Sequence, residues 1–183
     1  MAVTYLGVTA GYITILFMRH IRTRRSPSIH QSDLTVMFTI PLDTARLRSE
    51  LGYVPQRITY KPRGLWLSCG SDWIDFVRSQ EMSKFDGDYI YRISVDRSRI
   101  AHLLTQNDVL RFHRSFATIT HGGALIDWRR VAFDYDGIMI CPYQRHLRDK
   151  LDWYGGWDVA SACIWRWDAI IGIEDISGSE TSQ

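Results

Sequence analysis

Several signals that commonly name a function are missing from this sequence of 183 residues. Its three cysteines, Cys69, Cys141 and Cys163, are an odd number, far apart, with no CxxC pair. Such a set points to neither a disulfide framework nor a structural zinc site, and it suits a reducing cytosol. The histidines (His20, His30, His102, His113, His121 and His146) lack metal-ligand spacing, apart from Cys141 followed five residues later by His146. That single pair is too weak to count as a metal site. The phosphate loops GxGxxG and GxxxxGK[ST], the nucleophile elbow GxSxG and the zinc helix HExxH are all absent. Internal repeats and low-complexity tracts are absent too, which excludes solenoids and fibrous chains.

What is present is an ordinary globular composition, 45% hydrophobic and 23% charged. One domain of this size can bury about two-thirds of its unfolded surface, so it can fold without metal or disulfide. The net charge of +2 is unevenly placed. Arg19, Arg22, Arg24 and Arg25 stand in the first 32 residues with no acid, so the remainder is slightly acidic. The body is therefore no basic nucleic-acid binder by overall charge.

The uncharged run from Ala2 to Met18 precedes that basic cluster. Its length is at the lower limit for a bilayer span, and its Thr, Tyr and Gly make it only moderately apolar. A cleaved signal peptide would carry its charges before the apolar run, not after it. Three readings stay open: a membrane anchor leaving the domain in the cytoplasm, an element packed on the domain, and a detached appendage. Residues 19–33, with Ser26-Pro27 inside, read as a linker. The expected organisation is an appendage and linker over 1–34, a single domain over 35–176, and a disordered tail over 177–183.

Within the domain, 35–41 (TVMFTIP) reads as a strand closed by Pro41. Asp43 caps a short helix carrying Leu47 and Leu51, and Gly52 ends it. Strands are expected over 64–68 (GLWLS), 88–96 (DYIYRISVD) and 137–141 (GIMIC). Helices are expected over 72–79, from Asn107 or Asp108 to Phe116, and as a turn over 127–131. A strand running into a turn is expected over 161–170. Single strands between short helices, without long βαβ alternation, argue for α+β.

Two segments carry unusual residue combinations. In Lys61-Pro62-Arg63-Gly64-Leu65-Trp66-Leu67-Ser68, Pro then Gly sets a turn entering a strand. Gly64 lets another backbone or a flat ligand come close, Trp66 offers a large face, and Ser68 ends the strand with a hydroxyl. The plainer reading is a tight turn beside a core tryptophan. In the second segment, Trp153 to Trp165, paired glycines separate aromatic residues, and Asp158 stands three residues before Ser161. Aromatic faces such as Tyr154 with one acid suit a cationic ring, or stack on unpaired bases. The plainer reading there is a capped turn over an aromatic core. Asp134 and Asp136 in DYDG read first as a turn.

In this order, the KPRGLWLS strand, the YRISVD strand, the DYDGI strand and the aromatic strand ending WDAI resemble the ADP-ribosyltransferase fold of small bacterial and bacteriophage proteins. The resemblance covers 35–173. It implies split, mostly antiparallel small sheets with short flanking helices, and NAD in the cleft between them. It further implies a His or Arg on the first strand, a small hydroxyl residue or Tyr on the second, and a Glu on the third. Here Thr39 stands nearest the first place, with Lys61 and Arg63 the nearby cations. Trp66 and Ser68 match the second, and Asp158 with Ser161 stand where the glutamate is expected. The resemblance thus implies Asp158 and Ser161 as catalytic residues, and Thr39, Lys61, Arg63, Trp66, Ser68 and Tyr154 as cofactor-binding residues. Two functions remain open. One is NAD-dependent ADP-ribosyl transfer to an unknown protein or nucleic-acid acceptor. The other is non-catalytic binding of a nucleotide, a single strand or a protein in a Trp-rich cleft.

Overall fold

The computed structural model describes residues 28–178. Their elements run β1 (Leu34–Phe38), α1 (Thr44–Glu50), β2 (Ile58–Thr59), β3 (Leu65–Cys69), α2 (Asp72–Ser79), β4 (Tyr89–Val95) and β5 (Ile100–Leu103). They continue with α3 (Gln106–Phe116), β6 (Ala117–Thr120), β7 (Gly123–Asp127), α4 (Trp128–Asp134), β8 (Gly137–Ile140), β9 (Ser161–Ile164) and β10 (Ile170–Asp175). The fold is α+β, as the alternation of single strands and short helices predicts.

Local chemistry fixes the helix starts. The Asp43 carboxylate accepts from the Arg46 N–H and opens α1. Asp127 does the same for α4 through the Arg129 N–H. In α3 the cap is Thr105, two or three residues before the expected start. Its hydroxyl accepts from the Asp108 N–H while Asp108 accepts from the Thr105 N–H, a reciprocal pair that satisfies two otherwise orphaned donors.

The strands form one seven-stranded sheet, ordered β10-β4-β1-β3-β9-β8-β5, which curls into a half-barrel, and a three-stranded sheet, β2-β7-β6. Every pairing is antiparallel except β5 with β8. The expectation of two small sheets is corrected in size. The strands β5 and β10 extend the main sheet at its two edges.

Alternation along the central strands separates two cores. Cys163 and the following Trp165, with Ile138 and Ile140, face α3 and α4 in a core containing Trp128, Trp153, Tyr154 and Trp157. Ala162, Ile164, Met139, Leu65 and Leu67 face the opposite way, against Leu47 and Leu51 of α1. Several of the tryptophan rings meet edge to face: Trp153 and Trp157 lie 6.1 Å apart at 89°. That arrangement sets each ring's positive edge against its neighbour's negative face. Four of the seven tryptophans are therefore core, and the plainer reading of the 153–165 segment holds for most of its aromatic rings. Residues Asp152–Gly156 form a 3-10 turn rather than an open glycine loop.

Two further expectations change. Cys69 and Cys141 form a disulfide, with Cα atoms 6.4 Å apart, inside the ordinary span for such a bond. Their 72-residue separation hid the pairing, because only the sheet brings β3 and the end of β8 to either side of β9. Residues 28–33, read as linker, are attached to the domain. Ile29 is buried with Ile74, Ile90 and Ile176, and the Ser28 carbonyl accepts from Arg92. At the other end, the Ser177 hydroxyl accepts from the Ile90 N–H, so the chain past β10 is held as far as that residue. The uncharged run over 2–18 lies outside the described residues. Among the described residues no helix is long and apolar enough to cross a membrane.

Candidate functional site

A cleft of about 290 Å³ opens where β1, β3 and β9 run side by side. Register builds its floor. Thr35 pairs with Ser68, and Ser68 pairs with Ser161, so three hydroxyl residues form a row across three adjacent strands. Directly paired residues point to the same face of a sheet. Trp66, two residues before Ser68, shares that face and forms one wall. Trp157, Asp158 and Val159, leading into β9, form another, and Trp73 of α2 closes a third side.

Five of the eight sequence-predicted residues meet here: Lys61, Trp66, Ser68, Asp158 and Ser161. Thr39, Arg63 and Tyr154 do not line the cleft. Thr39 lies exposed just past β1. Arg63 is exposed, and its backbone N–H and carbonyl are held by the Gln56 amide. Tyr154 is fully buried, and its hydroxyl accepts from the Gln144 N–H at 3.0 Å. Burial pushes the Tyr154 phenol well above its usual range. Sequence reasoning missed Thr35, Trp73 and Trp157 as cleft residues. Trp157 carried a signal, being the aromatic residue directly before Asp158; the other two are brought in by strand register and helix docking alone.

The hydroxyls on the floor are already engaged. The Ser68 hydroxyl accepts from the Trp73 N–H at 2.8 Å, which ties the start of α2 to β3. The Ser161 hydroxyl donates to the Val159 carbonyl at 3.1 Å, and the Thr35 hydroxyl donates to the Gly70 carbonyl at 2.7 Å. These groups shape and rigidify the floor.

The charged groups stand on the walls. Lys61 lies over the Trp66 ring, its Nζ 5.1 Å from the centroid, and its stem passes Gly156. A side chain at residue 156 would press on that stem, since a Cβ there would sit 3.3 Å from Lys61 Cε. Asp158 is paired with Arg148 through Oδ1 at 3.2 Å, and its side chain is about one-third exposed. Tyr143 donates to the Trp157 carbonyl at 2.5 Å and so fixes the chain just before Asp158. Burial raises the pKa of Tyr143 further above the ordinary tyrosine range.

The indole N–H groups of Trp153 and Trp157 are buried and have no hydrogen-bond partner among the described residues. A buried donor without an acceptor costs roughly 1–3 kcal/mol. An aromatic wall, one cation and one carboxylate can hold a flat ring. Cys163 pairs with Trp66 on the same face of the sheet but is fully buried, and burial pushes its thiol far up, so it is no nucleophile at neutral pH. Among the described residues no group of three His, Cys, Asp or Glu side chains forms a metal site. No family model, curated protein or solved structure matches the chain.

Proposed function

We propose that this cleft holds the nicotinamide–ribose end of NAD, and that the protein is an ADP-ribosyltransferase-like enzyme acting at the bond between those two groups. The convergence of Lys61, Trp66, Ser68, Asp158 and Ser161 on one cleft carries this reading. A cationic ring is attracted to indole faces, and the half-buried Trp66 supplies one. A volume of about 290 Å³ takes a ring and part of a sugar. The phosphates would then lie outside, within reach of Lys61.

In the reaction, the bond from the ribose anomeric carbon to the ring nitrogen breaks, and its electron pair leaves with nicotinamide. The sugar becomes oxocarbenium-like until an acceptor nucleophile or water adds to it. Asp158 faces that developing positive charge with Oδ2, while Arg148 holds Oδ1 and fixes the carboxylate's direction. A preorganised group of this kind is worth roughly 100- to 1000-fold in rate. The test is nicotinamide release from NAD, with and without candidate protein and nucleic-acid acceptors. Wild-type release that falls by that factor in Asp158→Asn supports the enzyme. Unchanged turnover in Asp158→Asn removes Asp158 from the mechanism.

A second reading has its own observations. Ser68 and Ser161 are both hydrogen-bonded within the fold, and Asp158 is ion-paired. A cleft so arranged suits binding of a nucleotide without chemistry. Saturable NAD binding with no nicotinamide release under any acceptor selects this reading.

A further inference from the structure

We propose that a second groove, separate from the cleft above, binds single-stranded nucleic acid. It has a volume of about 510 Å³ and is formed by the chain after α1 (Tyr53, Gln56), the outer side of α4 (Arg129, Phe133) and the residues following β9 (Trp165, Arg166). Ser161 lies in the first cleft and Trp165 in the second, four residues along extended chain, about 13 Å. The two sites therefore lie toward opposite ends of β9.

The groove's floor is spent and its rim is not. Trp165 is buried, with its indole N–H donating to the Tyr135 carbonyl. The Gln56 amide is used on both backbone groups of Arg63. On the rim, Tyr53 and Phe133 are 84% and 90% exposed, values unusual for large rings with no task in the core. They come from two different elements and border the same groove. The same lining includes Arg129 and Arg166, each about half or more exposed.

The charges favour a polyanion. The lining contains these two guanidinium groups and no carboxylate. The acids behind them are committed: Asp127 holds Arg129 through two bonds of 2.8 Å, and Asp136 is shared by Arg99 and Arg166. Two arginines on one carboxylate leave a positive excess at the groove's edge. Arg57 and Arg130 lie exposed on the same segments, and the exposed acids nearby in sequence are Asp134, Asp168 and Glu50, the last of which pairs with Arg46. Each fixed guanidinium keeps further N–H donors for phosphate oxygens.

The exposed rings choose among polyanions. Unpaired bases stack on aromatic faces while the backbone follows the cations, the common design of sequence-tolerant single-strand binders. A duplex hides its base faces, and an acidic peptide brings charge for the arginines but nothing flat for Tyr53 and Phe133. The net charge of the chain gave no hint of this, because the feature is local.

The test is fluorescence anisotropy with the full chain and labelled ten-nucleotide dT and rU strands at low salt; both arms test the same chemistry, and their ratio tells DNA from RNA. Expected is binding tighter than about 100 µM, the weak end of non-specific binding, that weakens with salt. Tyr53→Ala and Phe133→Ala should each weaken it roughly tenfold, the size of one lost base stack, without changing the melting temperature. Trp66→Ala, in the other cleft, should leave it unchanged. The proposal is overturned if no strand binds by 100 µM, if a duplex or polyglutamate competes equally, or if Trp66→Ala and not the rim variants abolishes binding. Because the readout uses neither NAD nor turnover, its failure is distinct from failure of the first cleft.

Discussion

Gly64→Ala tests how the site strand is held. Gly64 enters β3 just before Leu65, which pairs with Ile164 of β9. A Cβ at residue 64 would stand 2.3 Å from the Ile164 carbonyl oxygen and 3.0 Å from the Cys163 sulfur. The first contact is about 1 Å closer than ordinary van der Waals approach allows, and its partner is backbone, not the mobile end of a side chain. Relief requires β3 and β9 to separate at the pairing that sets Ser68 opposite Ser161. Overpacking of this kind typically costs 1–3 kcal/mol, and a backbone clash places it near about 3 kcal/mol. For a domain of this size, each kcal/mol moves the melting temperature by roughly 2–4 °C, so the expected loss is roughly 6–12 °C. The control is Gly155→Ala, whose Cβ would meet only the Arg148 carbonyl oxygen at an ordinary 3.5 Å. Urea denaturation and calorimetry on the two variants give the comparison. A Gly64→Ala protein within about 0.5 kcal/mol of wild type, the range of a neutral surface change, refutes the close approach of β9 to this residue.

Other outcomes follow from separate parts of the structure. Unfolded under non-reducing conditions, the protein should titrate one thiol, Cys163, out of three; three reactive thiols refute the Cys69–Cys141 bond. Cys69→Ser should lower stability by about 4 kcal/mol, the loop-entropy value for a closed loop of this length, measured by urea denaturation. Thr105→Ala should cost about 1 kcal/mol through loss of the α3 cap, and a cost near zero refutes the reciprocal cap. Hydrogen bonds from Thr105 and Arg111 lower the Asp108 carboxyl to about 2. A depressed folded-state value means that its contribution is present above the ordinary carboxylate range and is lost as pH falls through about 2. The stability gap between wild type and Asp108→Asn should therefore narrow from pH 4 to pH 2; a constant gap contradicts it. Relative to a deletion ending at residue 27, one extended through Ile29 should be less stable by roughly 1.5–3 kcal/mol, through loss of one buried side chain; equal stability refutes the packing of Ile29.

Much of the central framework is legible in the sequence where one strong local signal acts alone. The helix α2 occupies the expected 72–79, although its buried residues are Ile74 and Val77 and the Trp73 ring turns toward the cleft. The strands β3, β4 and β8 appear where apolar or alternating runs put them. The strand β5 was hidden because the polar turn at Arg97–Arg99 reads as the end of β4, and only parallel pairing with β8 makes Ile100–Leu103 a strand. The β6–β7 hairpin has a turn signal in Gly122-Gly123, but its strands are short and partly exposed, with Ile119 pointing to solvent. In β10, Gly172 and two acids mask the pattern.

The site divides the same way. Ser68 and Ser161 were found separately, from turn and spacing chemistry, and the β3–β9 register sets them opposite each other. Tyr154 was misplaced because an aromatic run does not say which ring faces inward. The 3-10 turn sends Trp153 and Tyr154 into the core and leaves Trp157 at the cleft wall. The disulfide and the groove between Tyr53 and Phe133 depend on contacts across long sequence separations, which composition and periodicity do not carry.

The most direct test of the central claim is the melting temperature of the full chain with and without NAD, repeated for Trp66→Ala. At about one hundred times its dissociation constant, a ligand of the folded state stabilises it by roughly 2.7 kcal/mol. That corresponds to a rise of roughly 5–11 °C for a domain of this size. The cleft reading predicts this rise in wild type and its loss in Trp66→Ala, whose half-buried ring forms the wall beneath Lys61. No rise at millimolar NAD, or an equal rise in both proteins, contradicts it.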